Sequence, residues 1–506
     1  MILDDYLTTK EIQAAEYNAN YLGVSNLMLM ESAGGAVADA VAAKVKAGGR
    51  VFVACGLGGN GGDGFVAARH LAGRGYHVKA ALVGGANSIR SEETRHNFDA
   101  AQLMTGSLDL EVIEDSSEIM LIEADAIVDA LIGYTYRGGL SPATSAMIRA
   151  INASTAYTVA IDTPTGLVVD TGEAPEDCVE ADATVTFHKP KTGFRGKPKQ
   201  LGKLIVAKLG LPPEAELFTG PGDVLLVHRR REAEGHKGMF GRVLVVGGSE
   251  TYHGAPALAS MGAHSTGVDL VYTAVPETAA EGVAAISPSM IVVKLKGERL
   301  TPRNLSQLEP FLDKVDAVAL GPGLGLHEDT KKAALQLIKA AESRRLPLVV
   351  DADALKAFGE KRRRLKVPAV FTPHSREFEV LTGRKAEGDW REKGRVVEEE
   401  ARRLGSVILL KGAVDVISDG AHTRFNWTGN PGMTVGGTGD VLTGITVGYM
   451  SQGVHSMQAA CAGAFINGAA GDAVYSEKGY HILPEDVVQF IPYVVEDALE
   501  GKMRLV

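Results

Sequence analysis

The feature that most constrains the fold is a repeated pattern of short apolar runs, each ending at Gly, Asp or Lys, that alternate with Ala-rich segments. Such runs occupy residues 50–55, 126–131 and 157–162 in the first half, and residues 316–321 and 406–412 in the second. Continuous apolar runs of this length are typical of strands buried on both faces of a parallel sheet. Open α/β sheets bind ligands at the carboxyl edge of their strands. The pattern therefore predicts an α/β fold with site residues just beyond the strand ends.

The chain length predicts more than one domain. With 506 residues, two or three hydrophobic cores are expected, at about 150 residues per domain. Residues 210–235 contain Pro-Pro and Gly-Pro-Gly sequences and three consecutive arginines, so this stretch is the best linker candidate. We interpret the arginines at 229–231, and Glu232 after them, as a solvated connector face rather than a basic patch. We predict domains at 1–222 and 223–506, both of α/β class.

Composition argues against several classes of function. The 62 acidic residues outnumber the 52 basic ones, and a net charge of −10 argues against a role in coating nucleic acid or anionic membranes. Cys55, Cys178 and Cys461 lie far apart, so neither a disulfide framework nor a cysteine zinc site is expected. No uncharged apolar stretch reaches about 20 residues, and residues 1–5 lack the basic start of a signal peptide. We therefore expect a cytoplasmic protein.

A glycine-rich segment follows the first apolar run and opens a helical one. Residues 56–64 contain six glycines together with Asn60 and Asp63. Glycines let the backbone approach a ligand closely, and the start of a helix directs N–H groups towards phosphate. A plain structural turn is the alternative. Because Asn60 and Asp63 have little reason to be there for packing, we predict a ligand-binding loop.

Two further clusters begin where apolar runs end at a carboxylate. The first contains Asp129 and Gly133, and the second contains Asp162, Thr165 and Gly166. Carboxylate, amide and hydroxyl oxygens without a nearby His or Cys suit a hard cation rather than zinc. At a strand end, Asp162 could also serve as a general base. The alternative is that both aspartates only cap helices or turns.

These clusters, with residues 184–191, resemble the NAD(P)H-hydrate epimerase domain of the YjeF N-terminal type. The resemblance implies a Rossmann-like three-layer domain that binds K⁺ and interconverts the two C6 epimers of hydrated NAD(P)H. It implies cation ligands at Asn60, Asp129 and Thr165, with Asp162 as the acid–base residue and Lys191 as a matching basic residue. The implied substrate contacts are Gly59, Asn60, Gly61, Gly62, Asp63, Gly133, Tyr134, Thr135, Tyr136, Arg137, Gly138, Gly139 and Asp162. Two positions depart from the family pattern: Gly59 replaces a usual Asn, and Thr165 a usual Ser.

The strongest single motif lies in the second half, at residues 430–442. Its core is Gly436-Gly437-Thr438-Gly439-Asp440. A glycine-rich turn entering a helix gathers unpaired N–H groups and the positive end of the helix dipole, which suits a phosphoryl group in transfer. Asp440 would accept a proton from the reacting hydroxyl. A simple helix cap would explain Asp440 but not the surrounding glycines, so we predict a phosphoryl-transfer site.

Most of residues 225–506 resemble the ribokinase-like fold and, within it, the ADP-dependent (S)-NAD(P)H-hydrate dehydratases. The resemblance rests on the motif above, on residues 236–249 and on polar residues at several strand ends. It implies Mg²⁺ and ADP as phosphoryl donor, with Asp440 at the reacting hydroxyl. It implies hydrate contacts at Ala255, Gly323 and His374. The implied ADP contacts are Lys411, Gly412, Ala413, Val414, Asp415, Gly436, Gly437, Thr438 and Gly439. Ser375 and Arg376 depart from the usual Pro-Gly after the histidine.

Together the resemblances imply a bifunctional NAD(P)H-hydrate repair enzyme whose partners are NADHX, NADPHX and ADP, without nucleic acid or membrane. We also expect a homo-oligomer of unspecified size. Two alternatives stay open from the residues. The second half could belong to a ribokinase-like kinase acting on thiazole or pyrimidine alcohols, because the motif around Asp440 reports phosphoryl chemistry and not substrate. The first half could be a module that binds nicotinamide derivatives without catalysis.

Overall fold

The computed structural model describes residues 6–231 and 234–505, and these divide into two compact units between Pro212 and Pro213. The division precedes the boundary predicted at 222/223. Phe218 forms an isolated parallel β-bridge with Phe425 of the second unit. The Thr219 amide donates to the Phe425 carbonyl at 2.8 Å. Residues 213–222 therefore belong to the second unit, because their backbone is paired there.

The first unit is a parallel sheet covered by helices on both faces. Among the described residues its seven strands have the order β3-β2-β1-β4-β5-β6-β7, and every pair is parallel. The strands are β1 (Arg50–Cys55), β2 (His77–Val83), β3 (Leu108–Ile113), β4 (Ala126–Ala130), β5 (Tyr157–Ile161), β6 (Ala183–Phe187) and β7 (Lys203–Ala207). The helices are α1 (Thr9–Tyr21), α2 (Asn26–Ala42), α3 (Gly59–Gly73), α4 (Glu92–Gln102) and α5 (Pro142–Ala153). This layout confirms the predicted Rossmann-like class.

The apolar runs form the centre of this sheet, as their pattern predicted. Alternate residues of β1 point into two different cores: Val51 and Val53 pack on one face, and Phe52 packs on the other. The strand order reverses between β1 and β4: the chain continues from β1 towards β2 on one side and from β4 towards β5 on the other. Crevices at such a reversal are the usual ligand sites of open α/β sheets. The fold thereby brings the segments after β1, β4 and β5 to one edge.

The second unit contains a nine-stranded sheet in the order β10-β9-β8-β11-β12-β13-β14-β15-β16 within the described chain. Pairing is parallel as far as β14 and antiparallel for the last two pairs. Its strands are β8 (Arg242–Val246), β9 (Leu270–Pro276), β10 (Ile291–Leu295), β11 (Ala317–Leu320), β12 (Leu348–Val350), β13 (Ala369–Phe371), β14 (Val407–Leu410), β15 (Asp415–Ser418) and β16 (Thr423–Asn426). This confirms the predicted α/β class of the second half.

The helices of the second unit cover this sheet. They are α6 (Glu214–Leu217), α7 (Pro221–Val227), α8 (Gly254–Ser265), α9 (Glu277–Ile286), α10 (Leu305–Leu312), α11 (Glu328–Ser343), α12 (Ala352–Gly359), α13 (Ser375–Thr382), α14 (Trp390–Leu404), α15 (Thr438–Ser451), α16 (Ser456–Lys478) and α17 (Pro484–Leu499). Helices α8 and α15 touch at two glycines, where side chains on Gly262 and Gly444 would overlap the opposing backbone. This close packing fixes the start of α15 beside the sheet edge.

The linker prediction was wrong over much of residues 210–235. Helices α6 and α7 lie within it, and the buried Asp223 pairs with Arg424 at 2.8 Å. The arginines at 229–231 are exposed, and the Arg231 guanidinium lies over Phe240 and pairs with Asp269. Glu232 and residues 1–5, which carried part of the linker and signal-peptide predictions, lie outside the described residues. Within residues 6–231 and 234–505, no helix has the length and apolarity needed to cross a membrane.

Candidate functional sites

A cavity of about 680 Å³ opens at the carboxyl edge of the first sheet. It lies between the segments that follow β1, β4 and β5, as the strand pattern predicted. Eight of the predicted substrate residues line it: Gly59, Asn60, Asp63, Gly133, Tyr134, Thr135, Gly139 and Asp162. The structure thus brings residues from three separate sequence segments to one concave surface.

Five predicted contacts are not among the residues that line the cavity: Gly61, Gly62, Tyr136, Arg137 and Gly138. Side chains on Gly61 and Gly62 would meet protein atoms, the Gly56 carbonyl and Met30 respectively. The Tyr136 hydroxyl donates to Glu176 at 2.9 Å, and Arg137 donates to the Tyr134 and Tyr136 carbonyls. Gly138, with φ 107°, is not part of the cavity lining.

The predicted glycine-rich loop is largely helical. Helix α3 begins at Gly59, so Asn60 and Asp63 lie on its first turns instead of on a loop. Glycine disfavours helices by about 1 kcal/mol relative to Ala, which is why the sequence suggested a loop. Tertiary packing overrides that preference here, because Gly64 lies where a side chain would overlap Ala130 and Cys55.

Asp162 lies at the end of β5 in an unusual backbone conformation. Its φ of 61° is left-handed, which for a non-glycine residue costs on the order of 1–3 kcal/mol and is found most often at functional sites. Its Oδ1 accepts from the buried Lys191 ammonium and from the Phe187 amide. Lys191 also donates to Thr186 at 2.8 Å. Asp162 Oδ2 is buried without a hydrogen-bond partner among the described residues, so this oxygen is left to accept a hydrogen bond from a ligand in the cavity.

Asp129 and Thr165 form a buried oxygen cluster beside this cavity. The Thr165 hydroxyl donates to Asp129 Oδ1 at 2.7 Å, and the Thr165 amide donates to Oδ2 at 2.8 Å. Burial raises the pKa of Asp129 to about 6. Asn60 approaches from α3 against Gly133, and its Nδ2 is buried without a partner in the described structure. Carboxylate, hydroxyl and amide oxygens are the donors that hard cations prefer, so this set fits a monovalent cation such as K⁺.

Four acidic residues that line this cavity were not predicted from the sequence: Glu16, Glu93, Glu114 and Asp115. Glu16 comes from α1, and its Oε2 accepts a hydrogen bond from the Tyr134 hydroxyl at 2.8 Å. Burial raises the pKa of Glu16 to about 7, and the negative charge of Asp162 adds to that shift. Burial, with the charges of Asp162 and Glu16, also raises the pKa of Asp63 well above its usual range. No local pattern around Glu16 distinguishes it from an ordinary helix-surface residue.

The second site lies where α15 begins, at the carboxyl edge of the second sheet. Asp440 is in the first turn of α15, as predicted. Burial, reinforced by the negative charge of Asp351, raises the pKa of Asp440 to about 7, and Lys411 opposes the shift. Lys411 pairs with Asp351 at 3.1 Å, and Thr443 of α15 donates to the same carboxylate at 2.7 Å. Asp351 and Thr443 were not assigned roles from the sequence, although Asp351 directly follows strand β12.

Two of the predicted hydrate residues, Gly323 and Ala255, lie side by side, and the third, His374, lies beside Lys411. Gly323 has φ 68°, and a side chain there would press on Tyr252 and lie 3.3 Å from Ala255. His374 caps α13, accepting from the Arg376 amide at 3.1 Å, and bridges to Lys411 through the backbone. Its side chain is 51% exposed and lies 3.5 Å from the buried Glu377. His374 is thus fixed on one side by its cap and open on the other.

The predicted nucleotide residues form two groups near Lys411. Asp415, the first residue of β15, accepts from the Gly412 amide at 2.9 Å and from Asn426, and burial raises its pKa to about 6. Before α15, the Thr438 hydroxyl donates to the Met433 carbonyl at 2.9 Å. Around them lie Gly436, Gly437 and Gly439, with Ala413 and Val414 in the other turn. A side chain on Gly439 would lie 3.2 Å from Lys411 Nζ, which places this turn against the lysine.

Comparisons with known proteins match both units. A family model described as NAD(P)H-hydrate dehydratase matches residues 243–493, and one described as YjeF-related protein N-terminus matches residues 26–193. A bifunctional NAD(P)H-hydrate repair enzyme from Hyperthermus butylicus is 43% identical over 99% of this chain and 94% of its own length. One from Pyrobaculum aerophilum is 42% identical, over 97% and 98%. The Bacillus subtilis ADP/ATP-dependent NAD(P)H-hydrate dehydratase, co-crystallized with ATP/Mg²⁺, is 26% identical, covering 56% of this chain and 98% of that chain (TM-score 0.48).

Proposed function

The chain belongs to the family of bifunctional NAD(P)H-hydrate repair enzymes, and on that premise we propose how its two units divide the work. The N-terminal unit interconverts (R)- and (S)-NAD(P)HX at the cavity beside Asp162. The C-terminal unit dehydrates (S)-NAD(P)HX with ADP at the start of α15. Because hydration of the reduced ring yields both epimers, a dehydratase that accepts only one needs an epimerase to clear the pool.

In the epimerase site, Asp162 acts as the acid–base residue. Its Oδ1 is held by Lys191 and the Phe187 amide, which leaves the buried Oδ2 to exchange a proton with the hydrated ring. Rigid support of this kind keeps a catalytic group in position without repeated reorganisation. Asn60, Asp129 and Thr165 would hold K⁺, which supplies positive charge beside the cavity.

In the dehydratase site, Asp440 accepts the proton of the C6 hydroxyl as that oxygen bonds to the β-phosphorus of ADP and AMP leaves. The phosphate then leaves C6 while C5 loses a proton, and the C5=C6 double bond of NAD(P)H returns. Lys411 lies against Gly439 at the start of α15, where its ammonium and the unpaired N–H groups would stabilise the charge of the phosphates. Mg²⁺ would neutralise the charge of the phosphates when bound with the nucleotide.

One observation carries this proposal. In each unit an aspartate, Asp162 or Asp440, lies at the carboxyl edge of the parallel strands. A single active site shared by both halves, or a purely binding first half, gives no reason for two such groups. Independent sites predict that each activity can be removed without the other.

The test uses Asp162→Asn and Asp440→Asn in the full chain, assayed with separated (R)- and (S)-NADHX. We expect Asp162→Asn to lose the conversion of (R)-NADHX by at least ~10²-fold and to keep ADP-dependent dehydration of (S)-NADHX. Asp440→Asn should show the reverse, measured as epimer exchange by chromatography. In each variant the intact half is the matched control. Loss of both activities in either variant would contradict the division of labour.

A further inference from the structure

Glu16 stands in the epimerase cavity although it lies outside the segment that matches the family model. That match begins at residue 26, whereas Glu16 is on α1 (Thr9–Tyr21). Its carboxyl group lines the same cavity as Asp162 and accepts from the Tyr134 hydroxyl at 2.8 Å. The charged and titratable groups that act on it are Asp162, Lys191, Asp63 and Tyr134. Glu16 is therefore built into this site by tertiary structure.

An ionised carboxyl group at this place destabilises the folded N-terminal unit, which suggests that the group has a function. Burial and the negative charge of Asp162 raise its pKa to about 7, so its ionised form is destabilised at neutral pH. A glutamine of the same size could accept the Tyr134 hydrogen bond without a charge to desolvate. Groups with perturbed pKa values in clefts are candidates for chemistry, and two carboxyl groups in different environments often divide acid and base roles.

Inversion at C6 needs both an acid and a base. For the hydroxyl to leave as water it must receive a proton, while the nitrogen lone pair forms a C6=N1 double bond. For water to add from the other face it must give up a proton, while that electron pair returns to nitrogen. One carboxyl group on one side of a ring does not serve both faces equally well.

We propose that Glu16 is the second proton-transfer residue of the epimerase, working as a pair with Asp162. Glu16 gives its proton to the departing hydroxyl, and Asp162 Oδ2 takes the proton of the water that adds. In the reverse direction the two residues exchange roles, and proton exchange with water in the cavity restores the starting state. This inference rests on the epimerase activity proposed above.

The experiment measures conversion of (R)-NADHX by the full chain from pH 5.5 to 9, for wild type, Glu16→Gln, Glu16→Asp and Tyr134→Phe. Wild-type kcat/KM should fall above a pH of about 7 as Glu16 loses its proton. Glu16→Gln should lose ~10²-fold or more and should lack that descending limb. Glu16→Asp should keep the descending limb of the pH profile and should lose less kcat/KM than Glu16→Gln. Tyr134→Phe should lose less than Glu16→Gln and keep the limb, because the carboxyl remains.

The outcomes separate the possible failures. If Glu16→Gln retains activity within about threefold and keeps the limb, or if Tyr134→Phe reproduces its loss, Glu16 only positions Tyr134 and the proposal is overturned. If wild type does not convert (R)-NADHX, the epimerase assignment itself fails. Thermal unfolding of each variant shows whether the N-terminal unit is folded. If Glu16→Gln does not fold, Glu16→Asp is the decisive variant. A folded Glu16→Asp protein without the fall of kcat/KM at high pH would refute the proposal.

Discussion

The glycine-rich segments of the two sites look alike in sequence but have different surroundings. In residues 56–64, side chains on Gly61 and Gly64 would overlap backbone or buried side chains of the same unit. In residues 436–439, a side chain on Gly436 would meet nothing within 4 Å, and one on Gly439 would meet only Lys411. Four of the six glycines in the first cluster are therefore closed by packing, and Gly58 and Gly59 are open. In the second cluster Gly437 is closed by Pro484 and Leu258, and Gly436 leaves space open to a ligand.

The two sites also differ in how they hold their acids. Asp162 is enclosed with a buried lysine, while Glu16 and Asp63 share its cavity. Asp440 is in the first turn of a helix, and its neighbouring lysine is paired with a different aspartate, Asp351. In both sites burial and a nearby negative charge raise one carboxyl pKa to about 7. In both architectures, therefore, burial and a neighbouring carboxylate raise a carboxyl pKa.

The largest expected effect separates the glycine clusters. Gly61→Ala should destabilise the N-terminal unit by about 3 kcal/mol or more, because the added methyl overlaps the Gly56 carbonyl. Gly436→Ala should change stability by less than about 0.5 kcal/mol while raising the KM for ADP. Thermal unfolding and dehydratase kinetics measure both. Equal stability losses in the two variants would show that the comparison is wrong.

Opposite pH dependences should separate the two acids. Asp440 must be ionised to accept a proton, so dehydratase kcat/KM should rise about tenfold per pH unit up to a pH of about 7 and then level. Glu16 must be protonated to act as the acid, so epimerase kcat/KM should fall above a pH of about 7. Parallel profiles for the two activities of one preparation would contradict these roles.

The raised pKa values also predict a change in stability with pH. Folded Glu16 holds its proton up to a pH of about 7, whereas its usual value is 4.5, so the stability it contributes is complete below a pH of about 4.5 and is lost as pH rises through about 7. Glu16→Gln should therefore raise the Tm of the N-terminal unit at pH 8 more than at pH 5. An equal change at both pH values would show that Glu16 is not buried as a protonated group.

Exchange of the cation should affect only one half. Replacing K⁺ by Li⁺ should lower epimerase activity by about tenfold, because the oxygen cluster of Asn60, Asp129 and Thr165 would lose a cation of fitting size. Dehydration of (S)-NADHX should change by less than about twofold when Mg²⁺ and ADP are kept. Thr165→Ser, which keeps the hydroxyl, is the matched control and should retain the response to K⁺. If the exchange lowered only the dehydratase activity, the cation site would lie in the C-terminal unit, which would contradict this assignment.

The smallest expected effect concerns Gly59, which stands where the family usually has an asparagine. Its position is open, with nothing within 4 Å of an added side chain, so Gly59→Asn should fold normally. The added amide lines the cavity and should raise epimerase kcat/KM by less than about threefold. Steady-state kinetics on (R)-NADHX measure this. A large decrease would mean that the space at Gly59 is itself used by the substrate.

Much of this architecture follows from local sequence. The runs that reach Asp129 and Asp162 predicted buried parallel strands, because strands covered on both faces are mostly apolar. Asp440 was placed at a helix start because glycines and a threonine precede an apolar helix. These features are encoded within a few residues, so the sequence alone can reveal them.

The remaining features depend on tertiary structure. Glu16 enters the cavity only because α1 packs beside Tyr134, and nothing in its helix distinguishes it from solvent-facing acids. The helical conformation of Gly59–Gly64 follows from packing that outweighs glycine's low helix propensity. Helices α6 and α7 lie where Pro and Gly suggested a linker, because Phe218 and Asp223 pair with β16. Contacts between residues this far apart in the sequence cannot be predicted from a local sequence pattern.

The most direct test of the account is conversion of a mixture of (R)- and (S)-NADHX by the wild-type chain with ADP, Mg²⁺ and K⁺, followed by the recovery of reduced-nicotinamide absorbance. The account predicts that the whole mixture converts, faster than the epimers interconvert without enzyme. Prompt recovery of only the S portion would contradict an active epimerase in the first unit. No recovery would contradict the repair function and would favour a ribokinase-like kinase acting on a different alcohol.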